Sequence, residues 1–292
     1  RCDKCLEWNI TDGEAPKECF KCHSPSLSQD PDTFDTWFSS GQWPFATLKA
    51  SPFKEDFEKF YPTSVMETGY DILPFWVIRM LMLGIYITGK VPFENILLHG
   101  LVRDKDGIKI SKSKGNVINP IEMVDKYGAD ALRMGLIWGG LVENDISLSE
   151  EKINGQRKFS NKIWNIARFV LTQNSQYKVL STKYIAKNED DKKILEELKE
   201  TTKKVTKALD KYRLNEAAEE IYHFIWHKFA DKYIENCKLR TKNSDASAIS
   251  TLYKVLDTSL RLLHPFMPFV TEKIWGLAGN KKLLITADWP AQ

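Results

Sequence analysis

Apolar positions along this chain follow two regimes that meet near residue 148. Beyond Ser147 they recur at three and four residues. Phe159, Ile163, Ile166 and Val170 form one such series, and Leu214, Ala218, Ile221, Ile225 and Phe229 another. That spacing lays an apolar stripe along one side of a helix, so the second half reads as all-α. NEDDKKILEELKETTKKVTKALDKY alternates acid and base, the mark of a helix with a solvated face. HPFMPFVTEKIW adds a proline-bounded turn and a last amphipathic helix, and the helices are expected to pack as a bundle.

Before residue 148 the pattern is mixed. ILPFWVIRMLMLGIYI, residues 72–87, predicts a long buried helix opened by Gly69 and closed by Gly89. With Pro74 near its start and Arg79 in its middle, it falls short of the roughly 20 apolar residues a membrane span needs. NILLHGLV, residues 95–102, is a short apolar run with turn residues behind it, which predicts a strand buried in a parallel sheet. Asn119, Pro120 and Glu122 supply the N-cap, N1 proline and N3 acid of a helix that follows. DPDTFDTWFSSGQWPFATL mixes aromatics with turn formers and reads as an ordered, pocket-forming loop region rather than a helix. The fold class is therefore α/β followed by all-α, with no internal repeat and no low-complexity tract.

Composition narrows the function classes. At 292 residues the chain can hold two domains with cores, and 42% apolar against 28% charged residues argues against disorder. A net charge of +3, from 42 basic and 39 acidic residues, gives no global field. Any anionic partner has to be met by local clusters. No secretory or targeting segment is present, and a soluble protein is expected. The start at Arg1, inside a cysteine motif, points to a piece of a longer protein.

Four of the five cysteines lie in CDKC (Cys2, Cys5) and CFKC (Cys19, Cys22). Each CxxC offers two thiolates from one tight turn, and two such knuckles complete a tetrahedral shell. Zinc suits sulfur and has no geometric demand of its own. Disulfides or reduced thiols are the alternatives; without a secretory signal the spacing favours metal. Four sulfurs leave no open position for water, so the site is structural. His23 follows directly and competes as a ligand only in principle. Cys237 reads as a small buried residue.

KISKSKGN, residues 109–116, gathers three lysines and two serines. Alone this is a basic surface turn. It follows the run expected to be a buried strand, however, and open α/β sheets bind ligands beyond the carboxyl ends of their strands. Small residues there let backbone approach phosphate, and ammonium groups neutralise charge on a leaving pyrophosphate. Lysine's compact charge and flexible stem suit a moving group.

KISKS resembles the KMSKS signature of class I aminoacyl-tRNA synthetases, with Ile110 in place of methionine. DTWFSSGQWPF, ETGYDIL with the FW that follows, HGLVRDKDGIKISKSKGNVINP, YGADALR, NKIWNIARFV and HPFMPFVTEKIW are similar, in that order, to the valyl members of the class. Isoleucyl relatives usually carry WFDSG where WFSS stands here. The resemblance implies a zinc ribbon over residues 1–30, the second half of a Rossmann-type catalytic domain over 31–147, and an anticodon-binding helix bundle over 148–292. It implies activation of valine with ATP and Mg2+ to valyl-adenylate and transfer to tRNA(Val), by a cytoplasmic, monomeric enzyme with no membrane partner.

Residue roles carry over by matching motifs. Lys109 and Lys112 would hold the ATP phosphates and stabilise the transition state. Ser111 and Ser113 would shape the loop and donate to phosphate oxygens. Asp71 would accept ribose hydroxyls, with Gly69 allowing close approach. His99, Gly100 and Val102 stand where the family packs adenine. Trp37 and Ile72 would wall a small apolar amino-acid pocket. Plain core roles remain open for Trp37 and Ile72, and a structural one for His99. Asn161, Trp164, Asn165 and Arg168 lie on one side of a helix the family uses near the anticodon, where stacking reads unpaired bases. Trp164 could instead fill the bundle core.

The HIGH-motif half, the editing insertion and the carboxyl-terminal coiled-coil arm of the family have no counterpart here. An apolar pocket rejects a hydroxyl isostere only about a hundredfold, so the whole enzyme needs that editing site. This chain alone is expected to be inactive. An isoleucyl or other class I enzyme, or a non-catalytic tRNA-binding module, are the alternatives; intact Lys109, Lys112 and Asp71 speak against the last.

Overall fold

Residues 1–110, 115–141, 143–177, 186 and 188–291 are described by the computed structural model of this chain. They divide between two units, Arg1–Ser64 with Ile72–Glu94 and Val65–Asp71 with Asn95–Gln292.

The first unit begins with the cysteine knuckles and continues through α1 (Trp37–Gly41), α2 (Trp43–Lys49) and α3 (Asp56–Phe60). The aromatic stretch expected to be a loop is thus largely helical. Pro44 sits in the first turn of α2, where its missing N–H leaves no hydrogen bond unmade. Tertiary contact does the rest, as the Trp76 indole N–H donates to the Ser40 carbonyl at 3.2 Å.

Strand β1 (Thr63–Gly69) runs into a 3₁₀ turn, Tyr70–Ile72, then a π-helical turn, Leu73–Val77, and then α4 (Ile78–Thr88). Gly89, at φ +71°, ends the helix as its pattern predicts. Burial is another matter. Val77, Met80 and Gly84 are covered, but Met82 is 65% and Tyr86 85% exposed. The expected buried helix is therefore one-sided, because α1 and α2 pack on a single flank. By length and composition alone, Tyr70–Thr88, 19 residues at mean hydropathy 1.5, is one helix that could cross a membrane. Arg79 inside it binds the Asp35 carboxylate and the Phe75 carbonyl.

Strand β2 (Phe93–His99) pairs with β1. The Thr63 N–H donates to the Pro92 carbonyl at one end, and Gly69 lies beside His99 at the other. The two strands therefore run parallel and stop side by side. The strand expected over residues 95–102 begins earlier and is only half buried, since a two-stranded sheet leaves backbone and side chains open. Val102 belongs to a separate short strand, β3 (Val102–Arg103), paired in parallel with β4 (Ile146–Ser147). Between them lie α5 (Pro120–Tyr127) and α6 (Ala129–Ile137). Asn119 caps α5 as its sequence predicts, accepting the Ile121 N–H at 3.0 Å.

The bundle comprises α7 (Glu150–Tyr177), α8 (Glu189–Asp210), α9 (Leu214–His223), α10 (Glu235–Lys242), α11 (Ala246–Leu263) and α12 (Pro268–Leu277). A π-helical stretch, Phe224–Ile234, joins α9 to α10. Phe159, Ile163, Ile166 and Val170 meet Ala218, Ile221, Ile225 and Phe229 in one core, as periodicity requires. Met134 of α6 shares that core. Two polar links bind α6 to α12 and to the turn before it. The Asp130 carboxylate accepts the Phe269 and Val270 N–H groups at 3.0 and 2.7 Å, capping a helix whose own N-cap position offers no side-chain bond. Arg133 donates to the Pro265 carbonyl at 3.0 Å.

Helix α8 shows its solvated face, but Asp191 within it is fully buried. It receives two guanidinium bonds from Arg240 at 2.7 and 2.8 Å, the Tyr233 hydroxyl at 2.6 Å and the Ser247 hydroxyl. Burial pushes this carboxyl up, and Arg240 with the two hydroxyls overrides it, holding the group below the usual range. Removing one partner of such a cluster strands the others. Asp191→Ala is expected to cost about 3–5 kcal/mol in denaturant unfolding at neutral pH. Because the folded value is depressed, the carboxylate's contribution is full above the unfolded value near pH 3.9 and is lost as pH falls through the folded one. The unaltered protein should therefore lose more stability on acidification than the alanine variant.

Candidate functional site

Parallel strands that end together bring the residues after them together. Asp71 follows β1 by two positions and His99 closes β2. Gly69 makes room between them, because a Cβ there would lie 2.9 Å from Asp71 Oδ1 and 3.6 Å from His99 Cε1. His99 Nδ1 faces the Gly100 carbonyl at 2.8 Å, and its Nε2 faces the Glu67 carboxylate at 3.1 Å. Lys109 Nζ reaches to 3.7 Å from Asp71 Oδ2. The two side chains are 59% and 40% exposed, and such a pair is worth about 0–1 kcal/mol. Either partner can turn to a ligand at little cost.

Lys109 arrives there through a chain of anchors. Asp145 accepts the Leu101 N–H at 2.7 Å and binds the Arg103 guanidinium. The Leu101 N–H first, then Arg103, holds this carboxyl below its usual range. Arg103 in turn bridges the Lys109 backbone in antiparallel fashion across a turn at Gly107. Gly100 sits against the same support. A Cβ there would lie 1.9 Å from the Asn144 carbonyl oxygen, so chain packing alone demands glycine. Val102 is half buried and packs on a small cluster that includes Leu132, Leu148 and Ile153.

The structure thus brings Gly69, Asp71, His99, Gly100 and Lys109 to one edge. Ser111, Lys112 and Ser113 lie outside the described residues. Trp37 and Ile72 are half buried in the first unit, where Trp37 stacks on Phe75 at 6.3 Å between ring centroids. Asn161, Trp164, Asn165 and Arg168 are all exposed along one side of α7. Trp164 is no core filler: with Arg168 it lines a groove of about 370 Å³ floored by Leu171, Ile274 and Leu277. Sequence reasoning missed Glu67, Asp104, Asn116 and Asp145. Asp104 and Asn116 stood inside the quoted HGLVRDKDGIKISKSKGN stretch, while Asp145 gave no local signal.

The four cysteine sulfurs form a separate cluster, all within 4.8 Å of one another, with Cys2–Cys22 and Cys5–Cys19 at 3.6 Å. A disulfide would need about 2.05 Å. Four sulfurs on a tetrahedral ion with bonds of ~2.3 Å stand about 3.8 Å apart, so the cluster fits such an ion. The knuckles repeat each other: Cys2 N–H to Glu7 carbonyl and Leu6 N–H to Cys2 carbonyl match Cys19 to Ser24 and His23 to Cys19. Leu6 and His23, at φ +60° and +55°, close the two turns. His23 faces Glu18 at 3.1 Å instead of the sulfurs. Backbone N–H groups, that of Cys22 first, pull the Cys19 thiol down, while its neighbour Cys5 is pushed up, so without an ion the two share a proton between them.

Residues 7–149 match the family of class I tRNA synthetases (I, L, M and V), and residues 191–292 match the anticodon-binding domain of tRNA ligases. The chain is 46% identical over 292 residues to a valine–tRNA ligase of Pseudothermotoga lettingae, and 45% identical over 293 residues to that of Thermotoga maritima. Each alignment takes in 99% of this chain and 33% of the relative, so the chain spans about a third of the length of the curated relatives it matches. The LeuRS of Agrobacterium radiobacter K84, solved with tRNA and LeuAMS, shares the fold at a TM-score of 0.76 and 23% identity, over 94% of this chain and 34% of that one.

The contact beneath Gly100 is open to a direct check. Gly100→Ala must displace the backbone at Asn144 and is expected to cost on the order of 3 kcal/mol, read as a lower denaturation midpoint. An unchanged midpoint would show that this backbone yields freely.

Proposed function

We propose that this chain, whose residues 7–149 match the class I tRNA synthetases (I, L, M and V), is the carboxyl-terminal portion of a valine–tRNA ligase. The observation that carries this reading is the exposed Lys109 ammonium 3.7 Å from Asp71 at the carboxyl ends of two parallel strands. Residues 1–30 are a zinc ribbon, 31–147 the second half of a Rossmann-type catalytic domain, and 148–292 the anticodon-binding bundle. The enzyme is soluble, cytoplasmic and monomeric, and this portion alone is inactive.

Asp71 accepts the ribose hydroxyls of ATP, which Gly69 lets approach, while His99, Gly100 and Val102 flank adenine. Lys109 exchanges its weak pair with Asp71 for the phosphates, where Lys112 joins it and Ser111 and Ser113 donate. Mg2+ arriving with ATP would share the phosphate charge. A valine carboxylate oxygen attacks the α-phosphorus; the new P–O bond forms as the bond to pyrophosphate breaks. The ammonium groups stabilise charge growing on that leaving group, where a fixed donor is worth most. Trp37 and Ile72 bound the valine side chain. A hydroxyl of tRNA(Val) then takes the valyl group and releases AMP. Asn161, Trp164, Asn165 and Arg168 offer an open stacking and hydrogen-bonding face to unpaired anticodon bases.

Cys2, Cys5, Cys19 and Cys22 would hold zinc, which would tie the two knuckles together and take part in no step.

In the full-length enzyme, Lys109→Ala should lower kcat of valine-dependent ATP–pyrophosphate exchange by about 10²–10³-fold with little change in the valine KM. Unchanged exchange would remove the phosphate role, and better exchange with isoleucine would overturn the substrate. Metal analysis should find one zinc per chain, and chelation should release four thiols without melting the bundle's helical signal. Metal-free protein as purified would dispose of the ribbon.

A further inference from the structure

We propose that Asp104 and Asn116 form a clasp that positions Lys109 for adenylate formation, a role that rests on the ligase reading above. Asn116 Nδ2 donates to Asp104 Oδ2 at 2.7 Å and to the Lys109 carbonyl at 3.3 Å. One amide therefore ties together the two ends of the KISKSKGN segment and the turn before it. The other oxygen of Asp104 accepts the Ile108 N–H at 2.8 Å and the Asp106 N–H at 3.0 Å. Asn116 first, then the Ile108 N–H, holds this carboxyl below its usual range, so it stays an acceptor at neutral pH.

The Lys109 backbone is thereby held on two sides. Asn116 takes its carbonyl, and Arg103 pairs with it across the turn. Arg103 is itself fixed by Asp145 and by the Gly107 carbonyl at 3.1 Å. Its side chain is 59% exposed, with Nζ 3.7 Å from Asp71 Oδ2. A backbone tied at two points under a free-swinging ammonium group narrows the search of a catalytic charge for the phosphates. Asp104 would repel those phosphates if its charge faced them. Its hydrogen bonds to Asn116, Ile108 and Asp106 turn that charge inward. Asp104 and Asn116 touch no substrate in this scheme; they act through Lys109.

The test uses the full-length enzyme and two measurements. Asn116→Ala should lower kcat for valine-dependent ATP–pyrophosphate exchange about tenfold to a hundredfold, with the valine KM changed less than about twofold. Asn116→Asp should be worse, because it sets two carboxylates together. Asp104→Ala should lower kcat by a similar factor, because it removes the acceptor at the other end of the same amide's bond. Hydrogen exchange across residues 104–110 should quicken in both alanine variants. Wild-type kcat in Asn116→Ala, or a valine KM that rises as much as kcat falls, overturns the clasp. If the unaltered enzyme shows no valine-dependent exchange, the ligase reading fails by itself. Hydrogen exchange then decides the clasp alone, and unchanged protection in Asn116→Ala overturns it.

Discussion

Everything at the candidate site follows from two parallel strands that stop at the same level. Parallel pairing places the carboxyl ends of β1 and β2 together, so Asp71 and His99 emerge beside each other although 28 positions separate them. Gly69 keeps that edge open, and the turn after β3 delivers Lys109 to it. The result is an exposed charge pair of little intrinsic strength on a stiff support, and weakness is useful where a charge has to change partners.

The support is built from carboxylates that accept backbone N–H groups. Asp145 holds Leu101, Asp104 holds Ile108, and Asp130 holds the first turn of α12. In each case a buried or half-buried acid satisfies donors that no regular secondary structure reaches. Asp130 and Arg133 also join YGADALR to HPFMPFVTEKIW, more than 130 positions apart. These two stretches are coupled by structure, which motif-by-motif inspection cannot reveal.

The cysteine cluster follows a different logic. Each knuckle is set by its own short hydrogen-bonded turn, and the two turns have the same bonding pattern. The Cys2–Leu27 bridge and the Phe20 N–H bond to Asn9 then bring the knuckles together, with sulfur separations that fit a tetrahedral ion.

What could be read without coordinates was whatever depends on neighbours along the chain. The stripes through Phe159–Val170 and Ala218–Phe229, the Asn119 cap, the Gly89 stop and the paired CxxC turns all rest on backbone geometry within one or two turns. Tertiary structure alone decided the rest. The aromatic stretch around Trp37 became helical through packing, α4 kept one flank bare, and Asp191 disappeared into the bundle. The partners of Asp191 lie 42 to 56 positions away, so nothing in an acid-and-base repeat marks it as the member to be buried. Period and spacing specify a local conformation; which face is covered, and by what, depends on surfaces that meet only when distant segments fold together.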